Sequence, residues 1–156
     1  MSALRPTSKA GPIRMSLSSR FENIEMVQHL CSKLLEGREV PEELRHWILM
    51  ALREALANAI KHGNQQDISK HVHLEMDVVA DTLAISIRDE GPGFDPEAVA
   101  DPLAPENRLK TSGRGIFYMR TFMDEIRFHR HPAGGMEIVL KKNLGAITEK
   151  KEENPA

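Results

Sequence analysis

One helix-length run limits the folds open to this sequence. Between Pro41 and Gly63, the residues Leu44, Trp47, Ile48, Ala51, Leu52, Ala55 and Ala59 recur at helical spacing, which predicts a long helix buried in a core. Pro41 suits its first turn, where an N–H would lack a partner anyway, and Glu42 and Glu43 sit where the helix dipole favours anions. Gly63 stands where a glycine commonly ends a helix, so the helix is expected to stop there. Glu54, Asn58 and His62 stand at i, i+4 and i+8, in one polar row along this otherwise apolar helix. A carboxylate and a carboxamide in line on such a helix require a polar partner, and the rest of the chain has to supply it.

The flanking segments indicate what the helix packs on. Residues 70–80 alternate, with Val72, Leu74, Met76 and Val78 on one face and His71, His73, Glu75 and Asp77 on the other. Leu83, Ile85 and Ile87 alternate with Ala84, Ser86 and Arg88, which predicts an antiparallel hairpin turning at Asp81–Thr82 with one covered face. Residues 12–18 alternate as a short first strand. Ser18 and Ser19 are candidate caps for a helix whose apolar row runs Phe21, Ile24, Val27, Leu30, Leu34, with Met26, Cys31 and Leu35 beside it. Gly113-Arg114-Gly115 opens a third helix with Ile116, Met119, Met123 and Ile126 as its buried row and Phe117 and Phe122 flanking. Residues 126–131 and 136–141 predict a final hairpin around Pro132 to Gly135. This order implies an α+β fold, a two-layer sandwich of one mostly antiparallel mixed sheet with three helices on one face.

The 156 residues suit one domain with a substantial core, expected over residues 12–142. Residues 1–11 read as a flexible arm, and residues 143–156 as a disordered polar tail. Residues 96–115, with Pro96, Pro102, Pro105 and no sustained period, read as a long loop of the kind that serves as a lid. A formal net charge of −2 and a pI near 6.4 give no support for a nucleic-acid or membrane-surface partner. No apolar run is long enough to span a bilayer, and residues 1–11 lack the apolar core of a signal peptide. Cys31, the one cysteine, cannot form an internal disulfide and reads as a small buried residue, which fits the cytoplasm.

Two more polar stations lie at the ends of regular elements. In Asp89-Glu90-Gly91-Pro92-Gly93 the glycines permit positive φ and close approach to a flat ligand. Asp89 is an acceptor-only carboxylate, suited to an exocyclic amino group such as adenine's, and a plain turn is the other reading of this piece. Gly113-Arg114-Gly115 offers helix N–H groups to a phosphate, with Arg108, Lys110 and Arg114 adding positive charge, and a lid hinge with a cap is the other reading. Asn58 offers one neutral oxygen, enough for Mg2+ when substrate phosphates supply the charge. Glu54, one turn earlier, is suited to orient or deprotonate an attacking hydroxyl. His71/His73 and His129/His131 have i, i+2 spacing open to a metal, but without Cys or carboxylate at ligand spacing they read as a solvated sheet face. His62 reads as a hydrogen-bonding residue of the helix end.

In order, Glu54-x-x-x-Asn58-x-x-x-His62-Gly63, Asp89-x-Gly91-x-Gly93-Phe94 and Gly113-Arg114-Gly115-Ile116 resemble the N, G1 and G2 boxes of the GHKL ATPase superfamily of gyrase, Hsp90, histidine kinases and MutL. Within it, residues 113–119 followed by Phe122-Met123-Asp124-Glu125-Ile126 resemble the bacterial anti-sigma-factor serine kinases. The resemblance covers about residues 12–142 and implies the histidine-kinase-like ATPase fold, with ATP and Mg2+ as cofactors. It implies Glu54 as catalytic base, Asn58 as Mg2+ ligand, Asp89 on the adenine amino group, and a lid over the phosphates. Gly91, Gly93, Lys110, Gly113, Arg114 and Gly115 would complete the nucleotide site. It further implies phosphorylation of a serine on a STAS-type anti-sigma antagonist, sequestration of a sigma factor, and a homodimer. Thr111 replaces a further glycine that histidine kinases tend to carry, which favours the anti-sigma branch. Gly135-Met136-Glu137-Ile138 carries Met136 where the family tends to place a Thr that helps hold adenine through water, a contact Met136 cannot make. The alternative is an ATP-binding regulatory module that sequesters a partner without chemistry, against which the intact Glu54 argues. The catalytic domain of a sensor histidine kinase lacks support, because no phosphoacceptor helix hairpin precedes residue 12.

Overall fold

The computed structural model describes residues 11–92 and 114–145, with the backbone alone for Arg114, Gly115, Ile116 and Tyr118. Residues 1–10 of the expected arm, residues 96–113 of the expected lid and the tail from 146 lie outside the described residues. So do Gly93, Lys110 and Gly113.

The described elements follow the expected order: β1 (Ile13–Ser18), α1 (Glu22–Glu36), α2 (Glu42–Asn58), β2 (His71–Val79), β3 (Thr82–Arg88), α3 (Arg114–Phe122), β4 (Glu125–Arg130) and β5 (Met136–Asn143). The sheet runs β1-β2-β3-β5-β4. All four pairings are antiparallel, so the described sheet contains no parallel pair and is not mixed. The crossover through α3 lands at the far edge as β4, and β5 returns beside β3 in the opposite direction.

Alternation decides which face is covered. Val72, Leu74, Met76, Leu83, Ile85, Ile87, Ile138 and Leu140 point inward and are buried against the helices. α2 is the central helix, in contact with both α1 and α3. Ile48, Leu52 and Leu56 on it are each at most 1% exposed, and burial of side chains of this size contributes roughly 1.5–3 kcal/mol each. Trp47, expected in the core, is half-buried and stacks on Phe122 with ring centroids 3.9 Å apart. In α1 the buried row is Ile24, Val27, Cys31 and Leu35, not the expected row through Leu30 and Leu34, which are only partly covered. Phe21 and Met26 stay exposed. Two apolar rows were available on this helix, and the covered one faces α2. Ser19 does not cap α1 but is buried and donates to Lys70 O at 2.8 Å, tying the helix entrance to the start of β2.

Cys31 is 0% exposed, and burial pushes its thiol up to about 12. The thiolate is the reactive form. A thiol-alkylating reagent at pH 8 is therefore expected to label Cys31 only after denaturation. Labelling of the native protein at the denatured rate would contradict this burial.

The β2–β3 turn falls at Ala80 and Asp81, one residue before the expected position, with Val79 and Thr82 as the closing pair. Both turn residues have positive φ, 49° and 64°. Two-residue hairpin loops of this kind favour Asn and Gly, and an alanine pays a steric penalty there. Ala80→Asn is expected to stabilise the fold by about 1 kcal/mol, read as a higher urea midpoint at unchanged slope. A lower midpoint would show that the loop is not strained.

Candidate functional site

α2 is α-helical through Asn58, and its next turn, Ala59–Gly63, is π-helical. The Asn64 N–H donates five residues back to Ala59 O at 2.8 Å. Such π turns often mark functional positions. The residues that then leave the helix in the left-handed region are Gln65 and Gln66, at φ 54° and 58°, not Gly63. Gly63 is required for another reason. A Cβ there would lie 2.1 Å from Asp89 Oδ2. Gly91 meets the same constraint from the other side, since its Cβ would lie 1.7 Å from Gly63 O. Gly135, in the β4–β5 turn, would place a Cβ 1.8 Å from Asp89 O. Three glycines from three segments thus let backbone pack directly on backbone around Asp89.

Asp89 follows the last residue of β3 and is 1% exposed. The β3–β5 register, Arg88 opposite Glu137, continues one step further: Asp89 N–H donates to Met136 O at 3.0 Å. The side chain returns to the same residue, with Oδ1 accepting the Met136 N–H at 3.1 Å and the Gly91 N–H at 3.0 Å. Both described donors go to Oδ1, while Oδ2 lies against Gly63. Burial pushes the Asp89 carboxyl above the usual carboxylate range, against the pull of the Met136 and Gly91 N–H groups. Met136 thus bonds Asp89 through its backbone, which any residue but proline would supply.

Asn58 and Asp89 are the polar members of a narrow cavity between α2 and the sheet. Ala55 and Ala59 face it from the helix side, Ile87, Phe128, Met136 and Ile138 from the sheet side. Two alanines one turn apart leave room where larger side chains would close the layers together. The cavity is small in this structure, about 10 Å³, and its lining is apolar apart from those two side chains. Glu54 lies one turn before Asn58 on α2, and both are partly exposed. Among the described residues neither side chain has a hydrogen-bond or ion-pair partner. His62, in the π turn, is partly buried, and burial followed by the charge of Lys61 lowers its pKa. Arg114 and Gly115 open α3, as expected of them.

Asn64 is a residue the sequence reading passed over as part of a loop. It is 0% exposed. Its Nδ2 donates to Ser19 Oγ at 2.7 Å and to His71 O at 2.9 Å, and its Oδ1 accepts the Glu90 N–H at 2.7 Å. An asparagine after a helix-ending glycine looks like an exposed turn residue, and no spacing in the sequence marks it as buried.

The paired histidines find carboxylates. Glu90 lies 3.2 Å from His73 Nε2 and accepts the His71 N–H. The His71 N–H, then the His73 ring, hold its carboxyl below the usual carboxylate range. Glu137 lies 2.8 Å from His129. Among the described residues no group of three or more His, Cys, Asp or Glu is arranged to hold a metal ion. A wider depression of about 450 Å³ lies on the outer face of the sheet, lined by Arg14, His73, Glu75, Arg88 and Glu137 among others. Its charges are largely spent on one another, as in Arg14–Glu75 at 3.0 Å. The narrower inner cavity is the better candidate because it holds the buried carboxylate. No described helix is long and apolar enough to cross a membrane.

Known proteins resemble this chain. The anti-sigma F factor of Clostridium perfringens is 35% identical over 99 residues, which is 62% of this chain and 71% of that protein. The serine-protein kinase RsbW of Bacillus subtilis is 31% identical over 101 residues, 61% of this chain and 62% of that protein. The crystal structure of the RsbU and RsbW domains of Rv1364c from Mycobacterium tuberculosis has the same fold, with a TM-score of 0.59 at 17% identity over 85% of this chain and 32% of that longer chain. The Histidine kinase-like ATPase domain matches residues 17–142. That match runs from β1 to β5, through every element that frames the cavity of Asn58 and Asp89, and the chain belongs to the histidine kinase-like ATPase domain family.

Proposed function

We propose that this chain is an ATP- and Mg2+-dependent protein-serine kinase that acts as an anti-sigma factor in a partner-switching system. In this reading it phosphorylates a serine on a STAS-type anti-sigma antagonist, sequesters a sigma factor, works in the cytoplasm and forms a homodimer. The observation that carries the reading is the shared cavity of Asn58 and Asp89, with Glu54 one turn earlier on the same helix. The names of the relatives, anti-sigma F factor and serine-protein kinase, support the same activity.

ATP supplies the transferred phosphoryl group, and Mg2+ neutralises its charge. Asp89 accepts a hydrogen bond from the adenine amino group through Oδ2, the oxygen that the Met136 and Gly91 N–H groups do not take. Asn58 offers its carboxamide oxygen to the metal. Glu54 takes the proton of the partner's serine hydroxyl as that oxygen bonds to the γ-phosphorus, and ADP departs. The N–H groups at the start of α3, with Gly93 and with Lys110 and Gly113 of the expected lid, hold the phosphates.

The test is incubation with labelled ATP, Mg2+ and a cognate STAS partner. Label is expected on one serine of the partner and is lost when that serine becomes alanine. Tight ATP binding with no label on any antagonist would leave the alternative, an ATP-binding module that sequesters its partner without chemistry.

A further inference from the structure

We propose that Asn64 is a positioning residue that holds Asp89 in the orientation that reads the adenine amino group. The inference rests on the proposed adenine reading of Asp89 and concerns what keeps that carboxylate aimed.

Asn64 is not among the residues that line the cavity. Its effect runs through Glu90, the next residue after Asp89. The Asn64 Oδ1 accepts the Glu90 N–H at 2.7 Å, and that N–H belongs to the same rigid peptide plane as the Asp89 carbonyl. The opposite side of Asp89 is held by Met136, through its O at 3.0 Å and its N–H at 3.1 Å. Asp89 is thereby gripped from the strand side by β5 and from the helix side by Asn64. The Glu90 side chain holds β2 through the His71 N–H and the His73 ring, so Asn64 supplies the grip on the backbone next to Asp89 and its loss loosens that peptide plane.

The orientation of the carboxamide is forced. Nδ2 faces two acceptors, Ser19 Oγ at 2.7 Å and His71 O at 2.9 Å, so a flipped amide would set oxygen against a carbonyl and NH2 against the Glu90 N–H. The π turn delivers Asn64 to this place, since its N–H bonds to Ala59 O rather than continuing the α-helical ladder. Gly91 completes the fit, because any side chain there would strike Gly63 O and lift the loop away from the turn. A fully buried carboxamide is unfavourable unless every polar atom is paired. This one is paired three times, with the Asp89–Glu90 loop, the entrance of β2 and the entrance of α1.

The experiment compares binding of ATP and inosine triphosphate, which carries an oxygen in place of adenine's amino group, to the full chain. Wild type is expected to prefer ATP. Asn64→Ala is expected to reduce that preference roughly tenfold, the size of one hydrogen bond to a charged group, mainly through weaker ATP binding. Ser19→Ala removes an Asn64 partner remote from Glu90, so it is expected to lower the melting temperature and keep the preference. If Asn64→Ala does not fold, hydrogen exchange of the Glu90 amide in wild type decides the matter, because the same coupling read from the other end requires ATP to slow it more than inosine triphosphate does. An Asn64→Ala variant that melts lower but prefers ATP as wild type does, or a Glu90 amide slowed equally by the two nucleotides, overturns the positioning role and leaves the adenine reading intact. A wild-type protein with no preference for ATP overturns the adenine reading, and the positioning role with it.

Discussion

Glu54→Gln is expected to lower transfer of phosphate to a partner serine by about 10²–10⁴-fold, the usual contribution of a general base, while ATP affinity stays within about twofold. The substitution keeps the length and polarity of the side chain and removes only its capacity to take a proton. Glu54 lies on α2 one turn before Asn58, on a helix anchored by Ile48, Leu52 and Leu56, so the change does not disturb the core. It does not line the cavity that Asn58 and Asp89 share, which separates its role from binding of the base. Single-turnover transfer to a STAS partner measures the first quantity, and calorimetry with Mg-ATP the second. Undiminished label on the partner with Glu54→Gln would remove the base role. A parallel fall in affinity would assign Glu54 to nucleotide binding instead.

Asp89→Asn is expected to weaken Mg-ATP binding by about 10–100-fold, the range for a lost hydrogen bond to a charged group. The carboxamide oxygen can still accept the Gly91 and Met136 N–H groups that now reach Oδ1 at 3.0 and 3.1 Å. The NH2 then takes the place of Oδ2 and presents a donor to the amino group of the base, so an attraction becomes a donor–donor clash. Stability of the free protein is expected to move the other way. Burial raises the Asp89 pKa in the folded chain, so the native state binds this proton more tightly than the unfolded state does. For such a group the stabilising contribution is fully present below the ordinary value of 3.8 and is lost as pH rises through the raised value. Above the raised value the carboxylate therefore destabilises the empty site, and Asp89→Asn is expected to melt higher than wild type there. Weaker binding together with a higher melting temperature excludes misfolding as the cause. Asn58→Ala is expected to reduce Mg-ATP affinity as well, and wild-type affinity in both variants by calorimetry would refute the site.

Much of the fold was legible because alternation and helical period are local. The strand pairs His71–Val79 with Thr82–Arg88, and Glu125–Arg130 with Met136–Asn143, follow from short-range patterns, and so does the long helix through Asn58. The errors arose where two local patterns competed. The α1 helix carries two apolar rows, and only the position of α2 selects Cys31 and Leu35 over Leu30 and Leu34. Ser19 has the chemistry of a cap, yet its hydroxyl bonds Lys70 O, far along the chain.

The sequence by itself determined the order of elements, the polar row of Glu54 and Asn58, and a carboxylate with glycines at the end of a strand, because each of these is written in neighbouring residues. Only the tertiary structure decided that Asn58 and Asp89 share one cavity, that Gly63 exists to admit Asp89 rather than to end a helix, and that Asn64 is buried beneath Glu90. A hydrogen bond or a steric contact between segments depends on where the chain returns to, and residue types and spacing specify the direction of each element without specifying which backbone it finally meets.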